Sequence, residues 1–235
     1  MAGDHPQEDP RLKSVRYLTF DCYGTLIDWK RGIEAALGAA LGGAPRVKGG
    51  LLAAYLEAEK EEERSYKKYR QVLRNAALQV ASRAGVDLGE EEAEAFADSL
   101  PSWPAFSDAR PSLDELRSRG YELYVLSNVD RDLLEETIRR SRLELDGYVT
   151  ADDTGSYKPA PGHWETFMKR SGAEREGILH VAQSVFHDIM PAQKMGISSA
   201  WVNRYHERLP PGAQPSFIVG GLEDLLPLLP RRAQA

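Results

Sequence analysis

The carboxylate of Asp21 is the side chain of this sequence best placed for chemistry. It ends the largely apolar run VRYLTF and is followed by a tight Gly24-Thr25 turn. An acid at the end of a buried strand faces the carboxyl edge of the sheet, where open α/β folds bind ligands. Partly stripped of water, such a carboxylate can act as a nucleophile and form a covalent intermediate. The alternative is that Asp21 caps the following helix.

Three more polar groups lie where predicted strands end or helices begin. They are Ser127-Asn128 at the end of YELYVLSN, Lys158 in the turn SYKPAPG, and Asp188 in AQSVFHDIMPAQKMG. Taken singly, each has an ordinary structural explanation as a helix cap, a surface lysine or a helix start. Because the carboxyl ends of parallel strands meet at one edge of a sheet, their joint occurrence predicts a common site.

The elements that must position these groups follow from hydrophobic patterning. Strands alternate with helices, such as the capped segment SLDELRSRG and the segment RDLLEETIRR, and a final amphipathic helix is predicted at LEDLLPLL. This alternation predicts βαβ units and a Rossmann-like, doubly wound, mostly parallel α/β sheet. The predicted strands cover residues 15–21, 121–128, 147–150, 178–184 and 198–203.

A helical block interrupts the α/β pattern just after the first strand. We predict a helical cap domain at residues 29–104 and an α/β core at 15–28 and 105–235, with a disordered tail at 1–14. Such an insertion would overhang the strand ends as a lid; the alternative is a subdomain that only extends the fold. Its acid-rich stretch EAEKEEER is interpreted as a solvated helix face rather than a metal or partner site.

Composition excludes several classes of function. The 235 residues carry a net charge of −6, which gives no electrostatic case for nucleic-acid binding. The single cysteine, Cys22, rules out an intramolecular disulfide and fits a reducing compartment. Neither an apolar run of the ~20 residues that span a bilayer nor a signal peptide is recognisable. We therefore expect a soluble, cytoplasmic protein whose partner is a small molecule.

Taken in order, these motifs resemble the haloacid dehalogenase superfamily of hydrolases. The similarity spans roughly residues 15–205 and rests on FDCYGTLIDW, FSDARPSLDELRSRGYELYVLSN, YKPAPGHWETF and MGISSAWVNR. It implies a doubly wound sheet with a helical cap inserted after the first strand. It implies that Asp21 is the nucleophile and that Asp188 orients Lys158 or the hydrolytic water. The implied contacts to substrate or leaving group are Thr25, Ser127, Asn128 and Lys158.

Two positions distinguish branches of this superfamily. Its magnesium-dependent phosphatases carry a second Asp two residues after the nucleophile, where this chain has Tyr23, and usually an acid where it has Gln183. A tyrosine with a pKa near 10 donates protons poorly at neutral pH. Mg²⁺ commonly takes one or two carboxylates, so Asp21 and Asp188 keep a magnesium site open while no cofactor is favoured.

A halide leaving group tolerates both replacements, because it departs as a stable anion and needs no proton. Lys158, Ser127 and Asn128 can supply donors for a small carboxylate or the departing halide. The chain thus resembles the 2-haloacid dehalogenase (type II) branch, in which Tyr also follows the nucleophile at this spacing. That resemblance alone implies a homodimer formed through the cap.

The last motif departs from that branch, which normally reads Ser-x-Asn-x-x-Asp. Here the three positions are Gln183, Val185 and Asp188. Val185 cannot form the hydrogen bond of the usual Asn. We expect Gln183 or Ser184 to substitute for it, and His187 adds a titratable group that is either packed or a base.

The cap and the lysine motif depart as well. The branch uses an Arg early in the cap as a halide acceptor, and GGLLAAYLEAEKEEE contains none. Arg46 and Arg70 are the candidates to replace it. Trp164 replaces an aromatic tyrosine contact after the lysine motif. We predict hydrolytic dehalogenation of a small 2-haloacid through an Asp ester; the alternatives are a magnesium-dependent small-molecule phosphatase and a binding protein that has lost turnover.

Overall fold

The centre of the protein is a parallel sheet, described here from a computed structural model that covers residues 9–43 and 47–232. Within these residues the sheet has six strands in the order β3-β2-β1-β4-β5-β6. The strands are β1 (Tyr17–Phe20), β2 (Glu122–Ser127), β3 (Gly147–Thr150), β4 (Ile178–Ala182), β5 (Ser198–Val202) and β6 (Phe217–Val219).

Strand β1 lies in the middle of the sheet and is covered on both faces, with Leu18 and Phe20 buried on one face and Thr19 on the other. Leu18 and Phe20 are fully buried, and Phe20 pairs in register with Val125 of β2 and Val181 of β4. Strands covered on both faces are typical of α/β folds, as the sequence predicts. All five predicted strands are present, whereas the short β6 was missed because three residues carry too little periodicity.

Helices flank the sheet and fill the interval between β1 and α5. In the described residues they are α1 (Trp29–Ala40), α2 (Leu51–Glu62), α3 (Tyr69–Ala84), α4 (Glu90–Ser99), α5 (Ala109–Ser118), α6 (Arg131–Ser141), α7 (Ala151–Thr154), α8 (Gly162–Ser171) and α9 (Met190–Lys194). Helix α3 packs between α2 and α4. The predicted helical insertion after β1 thus corresponds to α1–α4. None of the described helices is long and apolar enough to cross a bilayer.

Three local predictions are corrected by the structure. The segment LEDLLPLL forms only a 3₁₀ turn (Glu223–Leu225), because Pro227 lacks the N–H that a longer helix needs. Helix α5 begins at Ala109 rather than at the predicted Ser112 cap, since Pro111 is tolerated in a first turn. In the predicted tail, Pro10–Leu12 form a 3₁₀ turn whose leucine is buried, while residues 1–8 lie outside the described chain.

Trp103 lies in the segment that leads from the inserted helices back to the core, and its side chain packs against α1. Its ring lies over Gly32 of α1, where an added Cβ would come within 2.3 Å of the indole. The same ring meets Tyr23 edge-on at 6.1 Å between centroids. Only a glycine at position 32 leaves room for the Trp103 ring. The packing of this ring places the N-terminus of α1 beside the turn that follows β1.

Two glycines of α1 give a matched test of this packing. We expect Gly32→Ala to lower the free energy of unfolding by about 1–3 kcal/mol, because the new methyl group overpacks a buried ring. Gly38→Ala, whose Cβ would meet only Leu51 at 4.0 Å, should instead stabilise by about 0.5–1 kcal/mol. Urea denaturation measures both, and equal effects would contradict the assigned contact.

Candidate active site

Asp21 begins the turn that follows β1, and the turn keeps it at the edge of the sheet. Its N–H donates to the carbonyl of Val181 at 3.0 Å, which extends the ladder by one residue. The chain then folds back, with the N–H groups of Leu26 and Ile27 donating to the carbonyl of Cys22. Gly24 has a φ of 107°, which only glycine adopts readily. The result is a tight loop beneath the Asp21 carboxylate.

Thr25 forms a hydrogen bond to one oxygen of that carboxylate. Its hydroxyl donates to Asp21 Oδ2 at 2.9 Å and accepts the N–H of Gln183 at 2.9 Å. Because the Gln183 N–H fixes the direction of the hydroxyl, Thr25 acts as a donor to Asp21. The resemblance implies a contact of Thr25 to substrate; in the structure Thr25 is fully buried behind Asp21 and is not among the residues that line the cavity.

Lys158 bridges the two carboxylates of the site. Its ammonium donates to Asp21 Oδ1 at 2.9 Å, to Asp188 Oδ1 at 2.7 Å and to the carbonyl of Leu126 at 2.8 Å. These three acceptors match the three N–H bonds of an ammonium group. Although burial opposes its charge, Asp188 and Asp21 raise the pKa of Lys158, which therefore stays charged.

Asn128 fixes the backbone that carries Lys158. Its Oδ1 accepts the Lys158 N–H at 2.6 Å, and its Nδ2 donates to the Lys158 carbonyl at 3.2 Å. The neighbouring Ser127 is buried, lines the cavity and accepts at its carbonyl from the ring of His163 at 3.0 Å. Ser127, the last residue of β2, and Asn128, which follows it, both line the cavity, and Asn128 also supports the Lys158 backbone.

Asp188 is oriented by a pair of buried polar side chains that the sequence analysis missed. His180 Nε2 lies 3.0 Å from Asp188 Oδ1, and His180 Nδ1 lies 2.9 Å from the hydroxyl of Thr19. Thr19 and His180 pair in register on β1 and β4, so polar residues inside otherwise apolar strands were the available signal. Among the described residues, Asp188 Oδ2 is buried without a hydrogen-bond partner.

The pKa values of the two carboxylates shift in opposite directions. Burial raises the pKa of Asp21, and the ammonium of Lys158 opposes that rise. Burial acts in the same direction on Asp188, but there the charge of Lys158 and the hydrogen bond from His180 win and hold its pKa well below the usual range. Asp188 is therefore a permanent anion.

A cavity of about 340 Å³ opens above Asp21, between the sheet edge and helices α1–α3. Most of the residues singled out in the sequence meet here: Asp21, Tyr23, Ser127, Asn128, Lys158, Gln183, Ser184, His187 and Asp188. The inserted helices supply the opposite wall, which includes Trp29, Lys30, Ile33, Leu52, Leu56, Glu59, Glu63 and Tyr69. The site is thus lined by two parts of the chain that are distant in sequence.

The last motif enters the cavity on a short π-helical turn (Val185–Ile189). Ser184 Oγ accepts the N–H of His187 at 3.1 Å and lies 3.1 Å from the same residue's Nδ1. Burial lowers the pKa of His187, so its ring is neutral at neutral pH. The Gln183 amide donates instead to Glu207 at 3.2 Å, at the margin of the cavity.

Two predicted contacts lie elsewhere. Trp164 is fully buried in a separate cluster with Leu126 and Phe167, because α8 turns this face of the helix onto the sheet. Its ring meets His180 rather than the cavity. Arg70 is held outside by Asp98 and Asp132, and Arg46 lies outside the described residues.

The acid-rich stretch is not wholly a solvated face, contrary to expectation. Glu59 and Glu63 line the cavity, and the phenols of Tyr55 and Tyr69 donate to Glu59 Oε1 at 3.1 and 2.5 Å. Burial raises the pKa of Glu59 despite these bonds. Burial and the nearby Glu59 also raise the pKa of Glu63, to about 8. At neutral pH Glu63 is therefore mainly protonated.

Lys30 is a second cavity cation that sequence reasoning missed. Its ammonium lies 3.2 Å from the centroid of the Tyr205 ring and 5.9 Å from that of Trp29. No ion pair involves Lys30 within the described part of the chain, so its charge is available to a ligand.

The donor set suits magnesium poorly. Asp21 and Asp188 already share Lys158, and residues 9–43 and 47–232 contain no group of three or more His, Cys, Asp or Glu side chains arranged for a metal. Tyr23 is a weak substitute for a second acid, because its hydroxyl pairs with Thr137 at 2.7 Å and burial raises its pKa well above the usual value.

Comparison with known proteins gives a consistent answer. Haloacetate dehalogenase H-2 of Moraxella sp. (strain B) is 25% identical over 231 residues, which cover 93% of this chain and 99% of that protein. (S)-2-haloacid dehalogenase 2 of Pseudomonas sp. (strain CBS-3) is 26% identical, with coverages of 93% and 97%. The structure of L-2-haloacid dehalogenase from Xanthobacter autotrophicus with chloropropionic acid covalently bound superposes with a TM-score of 0.79 at 22% identity, covering 90% of this chain and 96% of that one.

The family model for haloacid dehalogenase-like hydrolases matches residues 15–196, a span that includes β1, the inserted helices and every residue of the Asp21–Lys158–Asp188 cluster. This chain therefore belongs to the haloacid dehalogenase-like hydrolases and is an enzyme of that family.

Proposed function

We propose that this enzyme hydrolyses the carbon–halogen bond of a 2-haloacid, with Asp21 as the nucleophile. The observation that carries the proposal is the Asp21–Lys158–Asp188 ion cluster in the wall of the cavity, with Tyr23 and Gln183 where a phosphatase would carry acids. The relatives that carry dehalogenase names support the same reaction class.

In the first step a carboxylate oxygen of Asp21 attacks the sp³ carbon that bears the halogen. The carbon–halogen bond breaks, its electron pair leaves with the halide, and an alkyl ester of Asp21 forms. Lys158 and Thr25 favour the ionised form of Asp21 that this step needs. No proton is required, because the halide leaves as a stable anion.

In the second step water attacks the ester carbonyl carbon of Asp21. The acyl carbon–oxygen bond breaks, the 2-hydroxyacid leaves, one proton is released to solvent, and the water oxygen stays in the Asp21 carboxylate. The unpartnered, permanently ionised Asp188 Oδ2 is suited to accept a hydrogen bond from this water. The neutral ring of His187 is available as an acceptor on the same wall.

The substrate carboxylate needs a cation, and we assign that role to Lys30. Lys158 already makes three hydrogen bonds to the protein, whereas Lys30 lines the same cavity without an ion pair among the described residues. A charge-assisted hydrogen bond of this kind contributes about 1.5–3 kcal/mol. Ser127 supplies a further hydroxyl donor on the opposite wall.

Replacing the nucleophile tests the covalent route directly. Asp21→Asn should abolish halide release from 2-chloropropionate, because a neutral amide is a far weaker nucleophile. Wild-type enzyme that turns over repeatedly in H₂¹⁸O should carry ¹⁸O in the peptide that contains Asp21, measured by mass spectrometry. Asp28→Asn, at the α1 N-cap, is the control and should keep activity. Label in the product alone would contradict an Asp21 ester.

Replacing Lys30 tests carboxylate binding. Lys30→Met should raise KM for 2-chloropropionate about 10- to 100-fold with a smaller change in kcat, because a charge-assisted hydrogen bond to substrate is lost. Lys30→Arg should recover part of the loss, and Lys169→Met, on the exposed face of α8, should change nothing. An unchanged KM in Lys30→Met would refute the assignment.

The pH dependence of KM should report Glu63. Below about pH 8 its carboxyl is neutral; above it, a negative charge faces the anionic substrate and KM rises several-fold. Of the other groups that face it, Lys158 stays charged, His187 stays neutral and burial raises the pKa of Tyr157. Burial also raises the pKa of Glu59, whose ionisation would change KM in the same sense, so a Glu63 variant is needed to separate the two acids.

Glu63→Gln should flatten this profile. Glu57→Gln, on the exposed side of the same helix, should keep the wild-type profile. Steady-state halide release between pH 6 and 10 measures both variants. A rise in KM that persists in Glu63→Gln would place the titrating group elsewhere.

The competing phosphatase activity has a distinct signature. We expect halide release that survives EDTA and no Mg²⁺-dependent hydrolysis of p-nitrophenyl phosphate. Metal-dependent release of p-nitrophenol without any haloacid turnover would replace the proposed reaction by phosphate-ester hydrolysis. Failure of both assays would favour the binding protein that has lost turnover.

A further inference from the structure

A second, larger cavity of about 720 Å³ adjoins the catalytic one. The two share five lining residues, Leu56, Glu59, Glu63, Lys158 and His187. The two spaces therefore adjoin along a shared wall, which includes Lys158, the hydrogen-bond partner of Asp21. We call this second space the distal chamber; its further walls are Tyr66, Tyr157, Pro159 and Phe186.

The rings of Tyr66, Tyr157 and Phe186 line the distal chamber. Tyr157 meets Tyr66 at 5.5 Å and Tyr69 at 6.4 Å between ring centroids, in tilted and edge-on geometry. Phe186 packs edge-on against His187 at 4.9 Å. Such rings offer a large apolar contact area with defined faces. Gly155, Ser156 and the charged Lys60 and Arg64 complete the lining; both charged side chains are exposed, so they belong to the solvent side of the chamber.

The exposed apolar side chains of the protein are concentrated at this chamber. Four large hydrophobic residues are exposed within the described chain, and three of them, Leu56, Tyr66 and Phe186, line it. Phe186 is 61% exposed although it directly precedes two residues of the catalytic cavity wall. An exposed apolar cluster beside a reactive centre is typical of a ligand-binding surface.

The combined space exceeds what a three-carbon haloacid needs. Pockets of roughly 300–1,000 Å³ bind drug-sized ligands, and the catalytic cavity alone reaches that range. A propionate-sized substrate would leave the distal chamber filled with water against apolar walls. An occupant that is apolar and joined to the reacting carbon removes that mismatch.

We propose that the distal chamber binds an apolar alkyl or aryl tail of the substrate, attached to the carbon that Asp21 attacks. The proposal rests on the proposed function for the identity of the reacting end. The substrates are then 2-substituted carboxylic acids whose chain extends past Leu56 and Glu63 to Phe186 and Tyr66. Specificity among such acids is then set by the rings at the far end rather than by the ion cluster.

The test measures binding without turnover. Unhalogenated straight-chain carboxylates from propanoate to decanoate are titrated into the protein by calorimetry at pH 7, below their micelle concentrations. In wild-type protein we expect one site, with Kd falling about three- to fourfold per added methylene over several methylenes. A Kd that does not change with chain length would overturn the proposal.

Two variants locate the tail. Phe186→Ala and Tyr66→Ala remove exposed rings and should weaken decanoate binding about tenfold while leaving propanoate binding unchanged. The matched control is Ile218→Ala, which removes an equally exposed side chain from β6, outside both cavities, and should retain the wild-type series. A chain-length dependence that survives intact in both ring variants would also overturn the proposal.

Halide release from 2-bromopropanoate and 2-bromodecanoate separates this inference from the reaction itself. If alkanoates bind with the expected chain-length dependence and neither bromoacid is dehalogenated, the distal chamber stands and the proposed reaction fails. If 2-bromopropanoate is dehalogenated while alkanoate binding is independent of length, the reaction stands and the distal chamber is refuted.

Discussion

The ammonium of Lys158 is the charge around which the site is built. It is 2% exposed and bound to Asp21, Asp188 and the carbonyl of Leu126, so three chain segments converge on one cation. Removing the ammonium would leave two buried carboxylates without compensation, which is costly. Two carboxylates against one ammonium leave a net negative charge, and the repulsion from Asp188 adds to burial in raising the pKa of Asp21.

Sheet topology supplies these partners. Because β1 is central and β2 and β4 are its neighbours, Asp21 is flanked by the ends of both. Asn128 after β2 then clamps the Lys158 backbone, and His180 within β4 orients Asp188. The parallel strand order thus brings residues more than a hundred positions apart, such as Asp21 and Lys158, within hydrogen-bond distance. No residue of the cap is needed for this.

This half of the site could be predicted from the sequence, because strand ends can be located from apolar runs and share one edge. The cap half could not, since which helix face meets the core depends on packing rather than on local pattern. The acids of α2 illustrate the difficulty. Glu59 and Glu63 continue the stripe of Leu52, Tyr55 and Leu56 at helical spacing, so a signal existed but acid content suggested solvent. Trp164 is the opposite case. Its place in the lysine motif suggested a contact in the site, but the side chain packs into the core.

The cap wall changes what the ion cluster can select. Glu63 is mostly neutral at pH 7, which leaves the cavity able to admit an anion, while Glu59 is satisfied by two phenols. With Lys30 as the only lysine on the cap wall among the described lining residues, electrostatic attraction for a carboxylate is modest. Affinity must then come from apolar area, and the rings that supply that area lie beyond the two glutamates. The cap wall is neutral because Glu63 is protonated, not because it lacks acids. The charge of the ligand that this wall admits therefore depends on pH.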